Sequence, residues 1–155
     1  MKLTKLKLLC VCLLASTSAA QAIEKGFTSI FNGEDLSGWS QVGGTADYKV
    51  ENGEIVGTTA PNTPNSFMVT DNAYDDFELR FEVKLDDDHL NSGCQVRSNR
   101  HGTAMQGYQM EIESQHGTAG FIYEELGRGW LSKNRSNKAK NKAYKKGEWN
   151  DVRVV

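Results

Sequence analysis

Two glutamates set two positions apart are the first sign of chemistry in this chain: Gly107-Tyr108-Gln109-Met110-Glu111-Ile112-Glu113. Read as a β-strand, this segment turns Tyr108, Met110 and Ile112 to one side and Gln109, Glu111 and Glu113 to the other. Carboxylates at that spacing stand roughly 6.5–7 Å apart at the backbone. Such a pair can flank one small polar substrate, as acid–base work on sugars requires. A solvated strand face, of the kind Glu78 and Glu82 form, fits the pattern equally well.

Neighbouring segments favour the chemical reading. Gln95 and Arg97 alternate out of the Cys94–Val96 face just upstream, and Gly120-Phe121-Ile122-Tyr123-Glu124-Glu125 and Arg128-Gly129-Trp130 lie just downstream. If these strands are sheet neighbours, Arg97, Gln109, Glu111, Glu113 and the Tyr123–Trp130 corner converge on one concave face. Carboxylates, an arginine and aromatic rings suit a carbohydrate, because rings stack on sugar faces and polar groups bind hydroxyls. Other chemistries lack their signatures. The chain has no G-x-S-x-G, no H-E-x-x-H and no paired C-x-x-C. His89, His101 and His116 sit in polar, turn-like surroundings at no recognised metal spacing and read as surface histidines. A divalent metal on the carboxylates is compatible with the set, but no ligand pattern settles it.

The elements that must hold these residues read as β throughout. In Phe77-Glu78-Leu79-Arg80-Phe81-Glu82-Val83-Lys84-Leu85 the odd positions are apolar and the even ones charged, so one face is buried and one wet. Further strands are expected at Tyr48–Val50, Glu54–Thr58, Ser66–Thr70, Cys94–Arg97, Tyr108–Glu113, Gly120–Tyr123 and Trp149–Val155. Glu51-Asn52-Gly53-Glu54 is a two-residue hairpin signal, since Asn-Gly accepts the positive φ of a type I′ turn. No sustained helical period is present. Many short antiparallel strands without helical crossovers indicate a sandwich or barrel. Lys133 to Lys146 holds seven basic residues and no acidic one, and reads as a solvated loop. Asp86-Asp87-Asp88 reads as a hydrated turn rather than a calcium loop.

The chain has 155 residues, and its start reads as an export signal. Lys2, Lys5 and Lys7 precede the apolar run Leu8–Ala15 and the small-residue site Ala20-Gln21-Ala22. Cleavage after Ala22 would leave residues 23–155 as one domain beginning at Ile23, periplasmic or extracellular, with no membrane anchor. Removing three lysines from 18 basic residues leaves 15 against 20 acidic ones, a net −5, which argues against a nucleic-acid partner. Cys10 and Cys12 fall in the signal. The remaining Cys94 cannot form an intrachain disulfide and reads as a small buried hydrophobe. At the other end, Trp149–Val155 begins an alternating strand and stops, so the sandwich is expected to be C-terminally incomplete, with part of its apolar surface uncovered.

At these residues the chain resembles the 3-keto-disaccharide hydrolase domain family, long a domain of unknown function and also described as 3-keto-glucoside 1,2-lyase and 3-keto-2-hydroxyglucal hydratase. The resemblance rests on Gly26-Phe27-Thr28-Ser29-Ile30-Phe31-Asn32-Gly33-Glu34-Asp35-Leu36-Ser37-Gly38-Trp39, on Asn91-Ser92-Gly93 through Arg97, and on Gly107-Tyr108-Gln109-x-Glu111-Ile112. Gly120-x-Ile122-Tyr123-x-Glu125, Arg128-Gly129-Trp130 and Gly147-Glu148-Trp149-Asn150 follow in the family's order. Two departures stand out. The family's Y-D-E-x-R-R-G-W is Tyr123-Glu124-Glu125-Leu126-Gly127-Arg128-Gly129-Trp130 here, with one arginine fewer, and Cys94 replaces an aliphatic residue.

The resemblance implies a concanavalin A-like jelly-roll sandwich of two antiparallel sheets, acting on a carbohydrate substrate, a 3-keto-glycoside. A ketone at sugar C3 acidifies the C2 proton, so a carboxylate base can form an enolate, the C1 oxygen can leave, and water can add. On that reading Glu111 is the base, Glu113 or Glu125 the acid, and Arg97 and Arg128 the charge stabilisers, with Gln95, Gln109, Tyr123 and Trp130 as further substrate contacts. A non-catalytic carbohydrate-binding module and a retaining glycosidase remain as alternatives on the same fold.

Overall fold

The computed structural model describes residues 23–86, 91–113, 116–132 and 144–155. The signal segment with Cys10 and Cys12, Asp87, Asp88 and His89 of the acidic turn, and residues 133–143 of the basic segment lie outside the described residues. Among those described there are ten strands and no helix: β1 (Trp39–Gly43), β2 (Asp47–Glu51), β3 (Glu54–Thr58), β4 (Ser66–Thr70), β5 (Leu79–Val83), β6 (Asn91–His101), β7 (Ala104–Glu113), β8 (Ile122–Glu125), β9 (Gly129–Trp130) and β10 (Asn150–Val154). All pairings are antiparallel: β1 with β4, β2 with β3, β5 with β10, and a four-stranded meander β6-β7-β8-β9. The architecture is all-β in several antiparallel sheets, consistent with a β-sandwich.

Local chemistry accounts for these elements. β5 keeps the period-two pattern, with Leu79, Phe81 and Val83 partly covered and Arg80 and Glu82 exposed. The β2–β3 hairpin turns on Asn52 and Gly53, whose φ of 52° and 81° are the positive pair that a type I′ turn demands. β1 was not expected, because Trp-Ser-Gln-Val-Gly lacks alternation. It is held by β4 along its whole length and by the Trp39 indole, which donates to the Ile30 carbonyl at 2.9 Å. β6 also runs well past the expected Cys94–Arg97, since its polar second half pairs with β7 rather than burying a face.

The core is small: among the described residues Val42, Leu85, Met105, Ile112 and Ala119 are its buried apolar side chains, and β1 and β4 pack against β7. Charges clasp β10 to β5. Glu78 accepts from Arg153 through Nε at 2.7 Å and Nη2 at 2.9 Å, and from Arg80 Nε at 2.6 Å. These guanidiniums, Arg153 foremost, hold the Glu78 carboxyl down to about 2. Glu78 is therefore a joint of the fold and not the idle surface charge that its alternation suggested.

Asn150 opens β10 and is only 9% exposed. Its Oδ1 accepts from the Lys145 N–H at 2.7 Å, and its Nδ2 donates to the carbonyls of Lys145 at 2.8 Å and Glu148 at 2.7 Å. Truncation strands several backbone groups at once. Asn150→Ala is expected to cost about 1–3 kcal/mol, the usual penalty for orphaned buried groups. Denaturant unfolding measures it, and a loss below about 0.5 kcal/mol would show that the turn holds itself.

Candidate active site

Strand register decides which side chains meet. Gln95 lies opposite Gln109, Gln109 opposite Tyr123, and Tyr123 opposite Trp130, so these four form one row across the sheet. Glu111 lies opposite Gly93, and Glu113 opposite Asn91. The expected shared face of Gln109, Glu111 and Glu113 is therefore present. It is not a solvated one: Glu111 and Glu113 are each only 3% exposed.

Glu111 is held by two amides. Asn91 Nδ2 donates to Oε1, and Gln109 Nε2 donates to Oε2 at 3.2 Å. The Asn91 contact crosses diagonally to the neighbouring strand. Gly93 makes room for the second contact, because a Cβ there would stand 2.5 Å from Gln109 Cγ. Burial pushes the Glu111 carboxyl above its ordinary range. The hydrogen bonds from Gln109 and Asn91 pull against that, and the charges of Glu113 and Glu125 add to it.

Glu113 has different work. Its Oε1 accepts from the Thr118 N–H at 2.6 Å and the Thr118 hydroxyl at 2.7 Å, and its Oε2 accepts from the His116 N–H at 2.7 Å. His116 Nδ1 lies 3.4 Å from the same Oε2. The carboxylate thus organises the turn leading to β8. Glu111, Glu113, Asn91, His116, Thr118 and Trp130 together line a cavity of about 370 Å³. Trp130 packs edge-on against Tyr123, with ring centres 5.3 Å apart and planes at 73°.

Several expected members are elsewhere. β6 places Arg97 and Ser98 against the single residue Gly107, a bulge that breaks its alternation. Gly107 is needed there because a Cβ would come within 2.7 Å of Ser98 Cα. Arg97 has a φ of 47° and pairs with the exposed Asp76 at 2.9 Å instead of joining the cavity. Arg128 pairs with Glu124 and lies 3.5 Å from the Tyr108 hydroxyl, on the face opposite Glu111. Glu125 accepts from Asn65 Nδ2 at 3.4 Å and is not among the cavity walls.

Gln95 keeps its place in the row beside Gln109 but does not line the cavity; both its amide atoms are buried, without a partner among the described residues. Cys94 is partly buried, and its burial pushes the thiol up to about 11, which suits an inert side chain. Asn91, His116 and Thr118 were missed as site residues. Their signal was positional: polar turn residues placed within five positions of a strand carboxylate, or directly across from it.

The site offers a buried base, a carboxylate–histidine pair and an aromatic wall. Among the described residues no three His, Cys, Asp or Glu side chains converge to hold a metal ion. No curated protein matches the chain. The model of the 3-keto-alpha-glucoside-1,2-lyase-like domain matches residues 26–155, a span that takes in every strand and the whole cavity, and the chain belongs to that family.

Proposed function

We propose that the protein cleaves 3-keto-glycosides by removing the C2 proton, eliminating the C1 substituent and hydrating the product, and that it does so in the periplasm or outside the cell. The observation that carries this reading is Glu111, a buried carboxylate on a cavity wall whose proton affinity is raised by its surroundings. Removing an activated C–H proton needs a base of this kind, stronger than a surface glutamate and shielded from water. The family supports a carbohydrate-related role, and the export pattern of residues 1–22 supports the location. Trp130 on the cavity wall, with Tyr123 packed against it, provides a ring face for the sugar. With Arg97 and Arg128 both engaged elsewhere, the Asn91 amide on the cavity wall takes the share of enolate stabilisation first expected of the arginines.

Incubation with 3-keto-trehalose and with trehalose tests this. Turnover of the keto sugar alone is the expected result. Binding of either sugar without turnover would make the domain a carbohydrate-binding module. Cleavage of unoxidised trehalose would make it an ordinary glycosidase.

A further inference from the structure

Elimination from a 3-keto-glycoside needs a proton for the departing oxygen as well as a base for C2. We propose that His116 supplies that proton, with Glu113 as its positioning residue; the assignment deepens the keto-glycoside reading and rests on it. Glu113 is poorly placed to give a proton itself, since its two oxygens already accept from the Thr118 N–H, the Thr118 hydroxyl and the His116 N–H. A proton on Oε1 would have to displace one of its two donors, and Oε2 is shared between the His116 N–H and the His116 ring. Glu125 does not line the cavity. His116 does, and its ring is 79% exposed, so it can meet both substrate and solvent. Its backbone N–H and its Nδ1 both face Glu113 Oε2, at 2.7 and 3.4 Å. One carboxylate oxygen thus holds the turn and lies beside the ring nitrogen Nδ1, leaving Nε2 as the transferring atom.

The steps balance. Glu111 takes the C2 proton, and the C–H electron pair forms the enolate with the C3 carbonyl. As that carbonyl re-forms, the C1–C2 double bond is made, the C1–O bond breaks, and its electron pair takes the proton from His116 Nε2. The products are an alcohol and a 2-hydroxy-3-keto-glucal, with Glu111 protonated and His116 neutral. In hydration the neutral His116 draws a proton from water as its oxygen bonds to C1, and Glu111 returns its proton to C2. Both residues end as they began, so one pair serves elimination and hydration.

The test uses the full-length protein with two 3-keto-glucosides, one releasing methanol and one releasing p-nitrophenol, together with solvent deuterium exchange at C2. A general acid matters for the poor leaving group and hardly at all for the good one. His116→Gln is expected to lose about 10²–10⁴-fold on the methyl glycoside and less than about tenfold on the p-nitrophenyl one, with C2 exchange retained. His116→Ala with added imidazole is the second arm and should regain turnover of the methyl glycoside. Equal losses on both glycosides, no loss on either, or no rescue by imidazole would overturn the assignment. Wild-type protein inert toward both keto-glycosides would instead overturn the keto-glycoside reading, and this inference with it.

Discussion

Glu111→Gln is expected to lower turnover of a 3-keto-glycoside by about 10²–10⁴-fold, the share of a positioned acid–base group. C2 deuterium exchange should vanish with it. The fold should accept the change, because both partners of Glu111 are amides, Asn91 and Gln109, which can present either oxygen or nitrogen to the new side chain. Stability should even gain at neutral pH. The folded-state carboxyl is raised by burial, so the ionised form opposes folding, and the cost grows as pH climbs from the unfolded value through the raised one. The same shift places the acid limb of wild-type kcat/KM above the usual carboxylate range of about 4.3. Glu82→Gln, on the exposed edge of the β5 pattern, is the fitting control; Glu78 is not, given its arginine partners. Normal turnover and normal exchange in Glu111→Gln would remove Glu111 from the base role.

Glu113→Ala is expected to act through the fold, at about 2–5 kcal/mol. The buried Thr118 loses the acceptor for both its N–H and its hydroxyl, at about 1–3 kcal/mol for each stranded donor, and the His116 N–H loses its partner too. Thermal melting reads the loss directly. An unchanged melting temperature would mean that the turn needs no carboxylate, and the positioning of His116 would then need another source.

Much of the fold was legible in the sequence where one strand face is buried. β5 announced itself by alternation, β2–β3 by Asn-Gly, and β3 and β4 at their observed limits. β1, β9 and the second half of β6 were not legible, because those segments extend only by virtue of the strands beside them, and sheet pairing overrides weak local preference. The site divides the same way. Period two was enough to set Glu111, Glu113 and Gln109 on one face and Tyr123 with Trp130 beside them. It misplaced Arg97, because one extra residue in β6 cancels the alternation that assigned its face. It misplaced Arg128, because the tight turn into β9 returns that guanidinium to Glu124 rather than across the sheet. His116 was visible only as a polar turn residue until Glu113 proved to be buried beneath it.

Every residue lining the cavity lies between Asn91 and Trp130, on strands that pair only with their neighbours in sequence or in the turn between β7 and β8. Val83 and Asn150, by contrast, are ladder partners 67 positions apart. In kinetic terms the site has low contact order and a small loop-closure entropy, whereas the β5–β10 ladder must close a loop of 67 positions or more. The meander is expected to be formed in the folding transition state and the long ladder to join after it. The Asn150→Ala penalty should then fall almost wholly on the unfolding limb of a chevron, with the folding rate nearly unchanged. A slowed folding limb would place the long closure first. The chain would thus assemble its acid and its base before it closes the ladder that joins its two distant strands.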